Sequence, residues 1–425
     1  MKVAVIGAGW AGCAAAVEAT RLGQQVTLFE AGRIAGGRAR RVDGQWPDGT
    51  ALPLDNGQHI LIGAYSETLK LMGDLGLDAT RLLHRMPLTL QFPDGSGLRF
   101  PALPTPLDAF AGILRARGWS WRDKWTLLQA ATRWQLAGFR CPAGLSVAQL
   151  CERLTPAVMA TLIEPLCVAA LNTPAGRASG QVFLRVLRDA LFSQSGGSNL
   201  LLPRTDLSAL LPDTALAWLA QRGADVRLGT RVAALSPAGT GWQVDGETFE
   251  RVILACPPGE AARLLQVTGL PCQSWIDRAR ALQFEAITTV YVWSPGTRLA
   301  QPMLALRASE PEAEAPAQFV FDRGQLGGPD GLLALVVSAS QGDNADVARR
   351  VLLQATRQLG LAAPQIVQTI VEKRATFACL PGLLRPAAQL APGLLACGDY
   401  VEGPYPATLE GAVRSGLEAA RLAIE

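Results

Sequence analysis

The stretch from Lys2 to Glu30 limits what this chain can fold into more than any other. Lys2-Val3-Ala4-Val5-Ile6 is a short apolar run, and Gly7-Ala8-Gly9-Trp10-Ala11-Gly12 follows at once. An alanine-rich segment from Cys13 to Leu22 then stops at Gly23, and a second apolar run, Gln25 to Phe29, ends in Glu30. The pattern reads as strand, glycine turn, helix and strand, the opening of a parallel α/β sheet. The first glycine allows the tight turn. The second lets a pyrophosphate approach the backbone, and the third lets the helix sit close on the strand. The helix N-terminus offers free N–H groups and a partial positive charge to phosphates. Glu30 lies 18 residues past Gly12 (30 − 12), where a carboxylate can accept ribose hydroxyls. Gly7, Gly9, Trp10, Ala11, Gly12 and Glu30 are therefore the first candidate dinucleotide-binding residues.

With 425 residues the chain is long enough for two domains with well-buried cores. A net charge of +3 is too small to argue for a nucleic-acid partner. No run approaches the roughly 18 apolar residues that a spanning helix needs. Met1 leads straight into the first strand, which predicts no export signal and a cytoplasmic protein. The eight cysteines form no CxxC pair and no Cys/His cluster, so reduced thiols are expected. With only His59 and His84, no histidine-rich metal centre is expected and a Ser-His-Asp reading is unattractive. There is no second GxGxxG. Reducing equivalents would have to enter the same pocket or come from another protein.

The residues after Glu30 narrow the nucleotide. Ala31-Gly32-Arg33-Ile34-Ala35-Gly36-Gly37-Arg38 resembles the E-A-x-x-x-x-G-G-R segment of the two-dinucleotide-binding-motif flavoproteins, a group that includes amine oxidases, carotenoid desaturases and protoporphyrinogen oxidases. The C-terminus resembles the same group: strand Leu394 to Cys397, Gly398-Asp399, a short loop, then Pro406-Ala-Thr-Leu-Glu-Gly-Ala-Val-Arg-Ser-Gly416. The resemblance implies FAD, bound non-covalently since Cys397 sits inside a strand. It implies that Gly36 and Gly37 run along the pyrophosphate with Arg38 in support, and that Asp399 holds the ribityl–phosphate end. Thr408, Leu409, Glu410, Gly411 and Ala412 match the helix start that points at the pyrimidine edge of the ring. A helix N-terminus there favours negative charge on the reduced flavin. Val232, in Thr230-Arg231-Val232, matches the backbone grip on adenine, though it also reads as sheet core. Arg33 is near the ribose-side arginine, which falls one residue earlier in the family, and also reads as a surface residue. The implied fold class is α/β: a Rossmann-like FAD-binding domain (1–65, 196–257 and 370–425) with a second, α+β substrate domain (66–195 and 258–369) that carries a helical insertion at 107–191.

Leu54-Asp55-Asn56-Gly57-Gln58-His59-Ile60-Leu61-Ile62-Gly63, followed by Tyr65, resembles one branch, the squalene-associated FAD-dependent desaturases. Their assigned reaction is dehydroxylation of hydroxysqualene, which implies an apolar C30 isoprenoid substrate. In residue terms, Gly57 would let backbone approach a flat ring, and Gln58 and His59 would stand at the edge of an apolar pocket. Candidate proton donors are His59, Asp55 and Tyr405; each also has a plain structural reading. The rivals of the same fold are a carotenoid desaturase and an amine oxidase. The second is disfavoured by the lack of an aromatic pair beside a lysine. A flavin-free escort protein also shares this fold, but Gly398-Asp399 and Glu410-Gly411-Ala412 argue against it.

Elsewhere the chain predicts a hairpin at Leu88–Phe92 and Leu98–Phe100, a helix from Leu207 to Arg222, and a hairpin about Asp245-Gly246. It predicts β-rich segments at Gln283–Trp293, Gln318–Asp322 and Leu332–Ser340. Ile366–Lys373 reads as a strand returning to the nucleotide domain, and 310–316 as a solvated loop. Between Ile113 and Phe139, Trp119, Trp121, Trp125 and Trp134 are interleaved with six cationic residues from Arg115 to Arg140. That mixture suits a membrane surface as partner, and equally a helix pair packing its rings into a core.

Overall fold

Of the strand Lys2–Ile6 only Lys2 faces water, because the strand lies inside a six-stranded sheet with neighbours on both sides. The structure is a computed structural model that describes residues 1–192, 195–308 and 314–425. Most of the expected 310–316 loop therefore lies outside the described residues. The sheet runs Asp225–Arg227, Gln25–Phe29, Lys2–Ile6, Arg251–Leu254, Leu394–Ala396, Gln389–Ala391. The first five are parallel, and the last is an antiparallel edge. Helix Trp10–Arg21 follows the first strand and packs against the C-terminal helix Leu409–Leu422. The contact is backbone-close: a Cβ on Gly416 would stand 2.2 Å from the Ala11 carbonyl oxygen. Arg421 reaches across it to Glu18 at 2.7 Å.

A second sheet is antiparallel, in the order Met303–Ala305, Phe319–Asp322, Leu332–Ser338, Phe284–Trp293, Gln365–Phe377. Its side chains alternate between two cores, as the two-residue period of a strand requires. Val320, Leu333, Leu335 and Val337 pack under helix Asn344–Leu359, while Phe319, Phe321, Ala334 and Val336 join the large core on the other face. The strand at 365–377 corrects one expectation. It does not return to the nucleotide sheet but pairs along its length with Phe284–Trp293. A domain boundary at 370 therefore cuts a strand in two. The expected helix from Leu207 to Arg222 is also broken, into Leu207–Leu210 and Pro212–Gln221, because Pro212 cannot donate to the turn before it. Both hairpins form, with Asp245 and Gly246 at positive φ in the second turn.

The stretch 107–191 is helical throughout its long elements, Leu107–Arg115, Trp121–Leu136, Glu164–Leu171 and Gly180–Phe192. A five-residue π-helical segment, Met159–Ile163, precedes the third. These helices and the second sheet enclose a space that opens onto the C-terminal ends of the parallel strands.

Candidate functional site

One cavity of about 1020 Å³ runs from the glycine turn into the helical region. It exceeds the upper end of ordinary ligand pockets, roughly 300–1,000 Å³. At its nucleotide end the first turn is built without room for side chains. Gly7 has φ +112°, and a Cβ there would meet the Ala255 carbonyl oxygen at 2.7 Å. A Cβ on Gly12 would stand 1.7 Å from the Gly7 carbonyl oxygen, so helix and strand can touch only through glycine. The second loop then closes over the first: Gly36 N–H donates to the Ala8 carbonyl at 2.8 Å, and Gly9 bridges to Gly36. Glu30 ends the second strand with its carboxylate turned back into the cleft, accepting from Ala8 N–H at 2.8 Å and Gly32 N–H at 2.7 Å.

The two ends of the polypeptide meet here. Arg38 Nη2 donates to Asp399 Oδ1 at 2.5 Å, and Nη1 to the Ala375 carbonyl at 2.8 Å. Gly7, Gly9, Trp10, Ala11, Glu30, Gly36, Gly37, Arg38, Val232, Gly398 and Asp399 all line the one cavity. This cradle of close glycines, a helix N-terminus, a terminal carboxylate and an arginine fits a dinucleotide.

Further in, Gly57, Gln58, His59, Tyr405, Thr408, Leu409 and Ala412 line the wall. The loop carrying Gly57 is held from behind. Tyr291 Oη accepts from Gln58 Nε2 at 2.8 Å and donates to the Asp55 carbonyl at 3.0 Å, while Gln58 Oε1 accepts from Arg323 at 3.1 Å. Both ends of the Gln58 amide are thus committed to the scaffold. Burial, with the Arg38 charge nearby, pulls His59 down to about 4, so its imidazole is neutral near pH 7. Burial pushes the Cys256 thiol in the wall up to about 12, away from thiolate chemistry.

Five sequence candidates stand outside the cavity lining. Gly12 acts behind the wall, by letting the helix close on the strand. Arg33 is exposed on the outer side of its loop. Asp55 turns its carboxylate to Leu207 N–H at 2.8 Å and to Arg323 at 3.7 Å; burial raises it to about 6. Glu410 is fully buried, accepting from Glu67 N–H, Thr68 N–H and the Thr68 hydroxyl, and pairing with Arg414 at 2.7 Å. It ties the C-terminal helix to helix Ser66–Asp74. Gly411 is packed under the Tyr405 carbonyl, where a Cβ would stand 1.8 Å away. Thr408, although in the wall, spends its hydroxyl on the N-cap, accepting from Gly411 N–H at 3.0 Å.

The structure also brings in groups that the sequence did not single out: Arg185, Arg414 and Asp189 around the candidate Tyr405, and Ser198. Tyr405 lies between two guanidinium groups, Arg185 at 5.7 Å and Arg414 at 5.0 Å from its ring. Its hydroxyl is hydrogen-bonded to Asp189, which also pairs with Arg185 at 2.6 Å and Arg188 at 2.9 Å. Burial first, then Asp189, raises the Tyr405 phenol above its ordinary value. Ser198 is buried in the wall, and its Oγ has no hydrogen-bond partner among the described residues. A buried hydroxyl without a partner is costly unless a ligand supplies one. Beyond these groups the lobe is apolar, with Phe100, Ile113, Leu127, Trp134, Leu166 and Phe319 among its walls. Among the described residues there is no cluster of three or more potential metal ligands.

Comparison with known families decides what the cradle is for. The sequence profile of "Flavin containing amine oxidoreductase" matches residues 10–424. The chain belongs to the flavin-containing amine oxidoreductase family. As a member it is an FAD-dependent oxidoreductase with the family's α/β flavoprotein fold. A protein named hydroxysqualene dehydroxylase from Rhodopseudomonas palustris is 30% identical to it, across 99% of this chain and 98% of its own. Another of that name from Sinorhizobium fredii is 26% identical, across 100% of this chain and 98% of its own. An oxidoreductase from Methanosarcina mazei superposes with a TM-score of 0.73 at 16% identity, over 99% of this chain and 100% of that one, a likeness of fold. Among the described residues, no helix of this family member is long and apolar enough to cross a membrane.

Proposed function

We propose that this flavoenzyme reductively removes the allylic hydroxyl of hydroxysqualene to give squalene. The observation that carries the proposal is the continuity of the flavin cradle with a long apolar lobe, in a chain similar end to end to proteins named for that reaction. In the balanced step the carbon–oxygen bond breaks, the oxygen leaves as water after gaining one proton, and the allylic carbon gains a hydride. Bound reduced FAD supplies the hydride. The chain's own residues do the rest. The apolar walls hold the isoprenoid and exclude the water that would recapture an allylic cation.

Tyr405 is the proton donor we favour among the three sequence candidates. Asp55 faces the scaffold, and His59 is a neutral imidazole beside Arg38. Tyr405 lines the cavity as a neutral phenol; burial and Asp189 raise it, and the Arg185 and Arg414 guanidinium groups against its ring work in the opposite direction, toward release of its proton. Anaerobic single turnover of the chemically reduced holoenzyme with hydroxysqualene, scored for squalene, tests the reaction. Squalene formation is expected. Consumption of phytoene by the oxidised enzyme, with hydroxysqualene untouched, would replace the proposal with a desaturase.

A further inference from the structure

We infer that the outer faces of helices Leu107–Arg115 and Trp121–Leu136 dock on a bilayer containing anionic phospholipid. The four tryptophans of this region divide. Trp119 and Trp134 are buried, Trp119 with its Nε1 on Thr161 Oγ1 at 2.9 Å, whereas Trp121 is 75% exposed and Trp125 62%. The exposed rings are not scattered. At 3.6 residues per turn, Trp121, Trp125, Leu128, Thr132 and Leu136 fall on one stripe of their helix. Leu107, Phe110, Ala111 and Leu114 form the corresponding stripe of the neighbouring one. Leu107, Phe110, Trp121, Trp125 and Leu136 are each more than half exposed. A capping box from Ser120 and Asp123 fixes the start of the second helix, and Lys124 Nζ ties it to the Leu114 carbonyl at 2.8 Å. Rings exposed on a helix so firmly held are presented, not left over.

Charge names the partner. Between Pro101 and Pro142 there are six cationic side chains and two acids, a balance of +4 (6 − 2), more than the +3 of the whole chain. Both acids, Asp108 and Asp123, are buried and engaged in backbone or cap hydrogen bonds. Arg115, Arg117, Arg122, Arg133 and Arg140 are exposed. On the second helix, Arg122 and Arg133 flank the apolar stripe on one side and Lys124 on the other. Aromatic and aliphatic groups flanked by arginines and free of exposed acid match an interface of acyl chains under negatively charged headgroups. The inner faces of the same helices supply Ile113, Leu127 and Trp134 to the apolar lobe. Bilayer and lobe would then be separated by the thickness of one helix, a short path for a ligand that is itself lipid-soluble. That last step rests on the proposed reaction; the docking does not.

The test uses the FAD-loaded protein without substrate, so its outcome is independent of which isoprenoid the enzyme reduces. Flotation with phosphatidylcholine vesicles is compared with flotation on vesicles that also contain phosphatidylglycerol. Wild type should float with the anionic vesicles, less so as salt is raised. Trp121→Ala/Trp125→Ala should lose on the order of tenfold or more in apparent affinity. Val267→Ala/Leu384→Ala, which removes exposed apolar groups elsewhere, should bind as wild type. A brominated lipid should quench wild-type tryptophan fluorescence, a readout that needs no variant to fold. Wild type left unbound, tryptophan variants bound undiminished, or a wild-type dimer that the tryptophan variant turns into monomer would each overturn the inference.

Discussion

Replacing Gly12 by alanine tests the cradle at its tightest point. The new methyl carbon would lie 1.7 Å from the Gly7 carbonyl oxygen, 2.9 Å from the Gly7 carbonyl carbon and 3.1 Å from Ala255 Cβ. Contacts under 3.0 Å are not tolerated, so the gap must open by at least 1.3 Å (3.0 − 1.7). No flexible side chain can absorb this, because the obstacle is backbone. The helix must ride up on the strand. Overpacking of this kind costs about 1–3 kcal/mol, and a backbone obstacle puts it at the top of that range. The same movement carries the N–H groups at the helix start away from the pyrophosphate. Each charge-assisted hydrogen bond is worth about 1.5–3 kcal/mol, so losing one should weaken FAD binding by about 10–100-fold. Gly23→Ala is the control. Gly23 has φ +78° but nothing within 4 Å of its Cβ position, so alanine there should cost about 1 kcal/mol and leave flavin alone. Flavin absorbance per chain and thermal melting of apo and loaded protein read the two effects apart. If Gly12→Ala carries a full complement of flavin and melts within about 2 °C of wild type, the account of the glycine turn is refuted.

Other consequences follow from charges and shape. His59 has a folded pKa of about 4 against an unfolded value of about 6.5; its contribution to stability is complete above the unfolded value and is lost as pH falls from there through about 4. The apoenzyme should therefore lose about 2–3 kcal/mol over that window, most of it recovered in His59→Gln by denaturant titration. Asp55 has the opposite sign. Its folded value of about 6 means stability present below about 3.9 and lost as pH rises through 6, so Asp55→Asn should gain about 1–3 kcal/mol on wild type between pH 4 and pH 7. Tyr405→Phe should slow single-turnover squalene formation about 10²–10⁴-fold with flavin content unchanged, while His59→Gln stays near the wild-type rate. Ala131→Trp, which fills the apolar lobe from helix Trp121–Leu136, should raise KM for the proposed substrate, hydroxysqualene, and leave flavin binding intact, as product assays and absorbance would register.

The parts legible in the sequence are those where function constrains backbone locally. A strand, three glycines and a carboxylate within thirty residues admit one geometry, and the structure has it. The C-terminal segment was legible as a helix start, and its first residues border the cavity, yet Glu410 and Gly411 serve the packing of that start and do not line it. A motif records which residues a local geometry needs; it does not say which of them point inward. The strand Gln365–Phe377 went astray for a related reason, since apolar alternation marks a strand but not the sheet that will accept it. What no local pattern could supply is the group gathered around Tyr405 in the cavity wall. Asp189 and Tyr405 are 216 residues apart (405 − 189), and Asp189 lies on a helix whose spacing is that of any amphipathic helix. The tryptophans are an intermediate case. Their composition left core and surface equally open, but helical spacing separates Trp121 and Trp125 from Trp134, and the inward position of Asp123 fixes which stripe is buried. The cavity and the face presented to solvent are thus two sides of one helix. On the proposed reading, a chain that takes an apolar molecule inside has kept apolar groups on the outside of the same wall, and the cost of exposing them is what the inferred bilayer contact would remove.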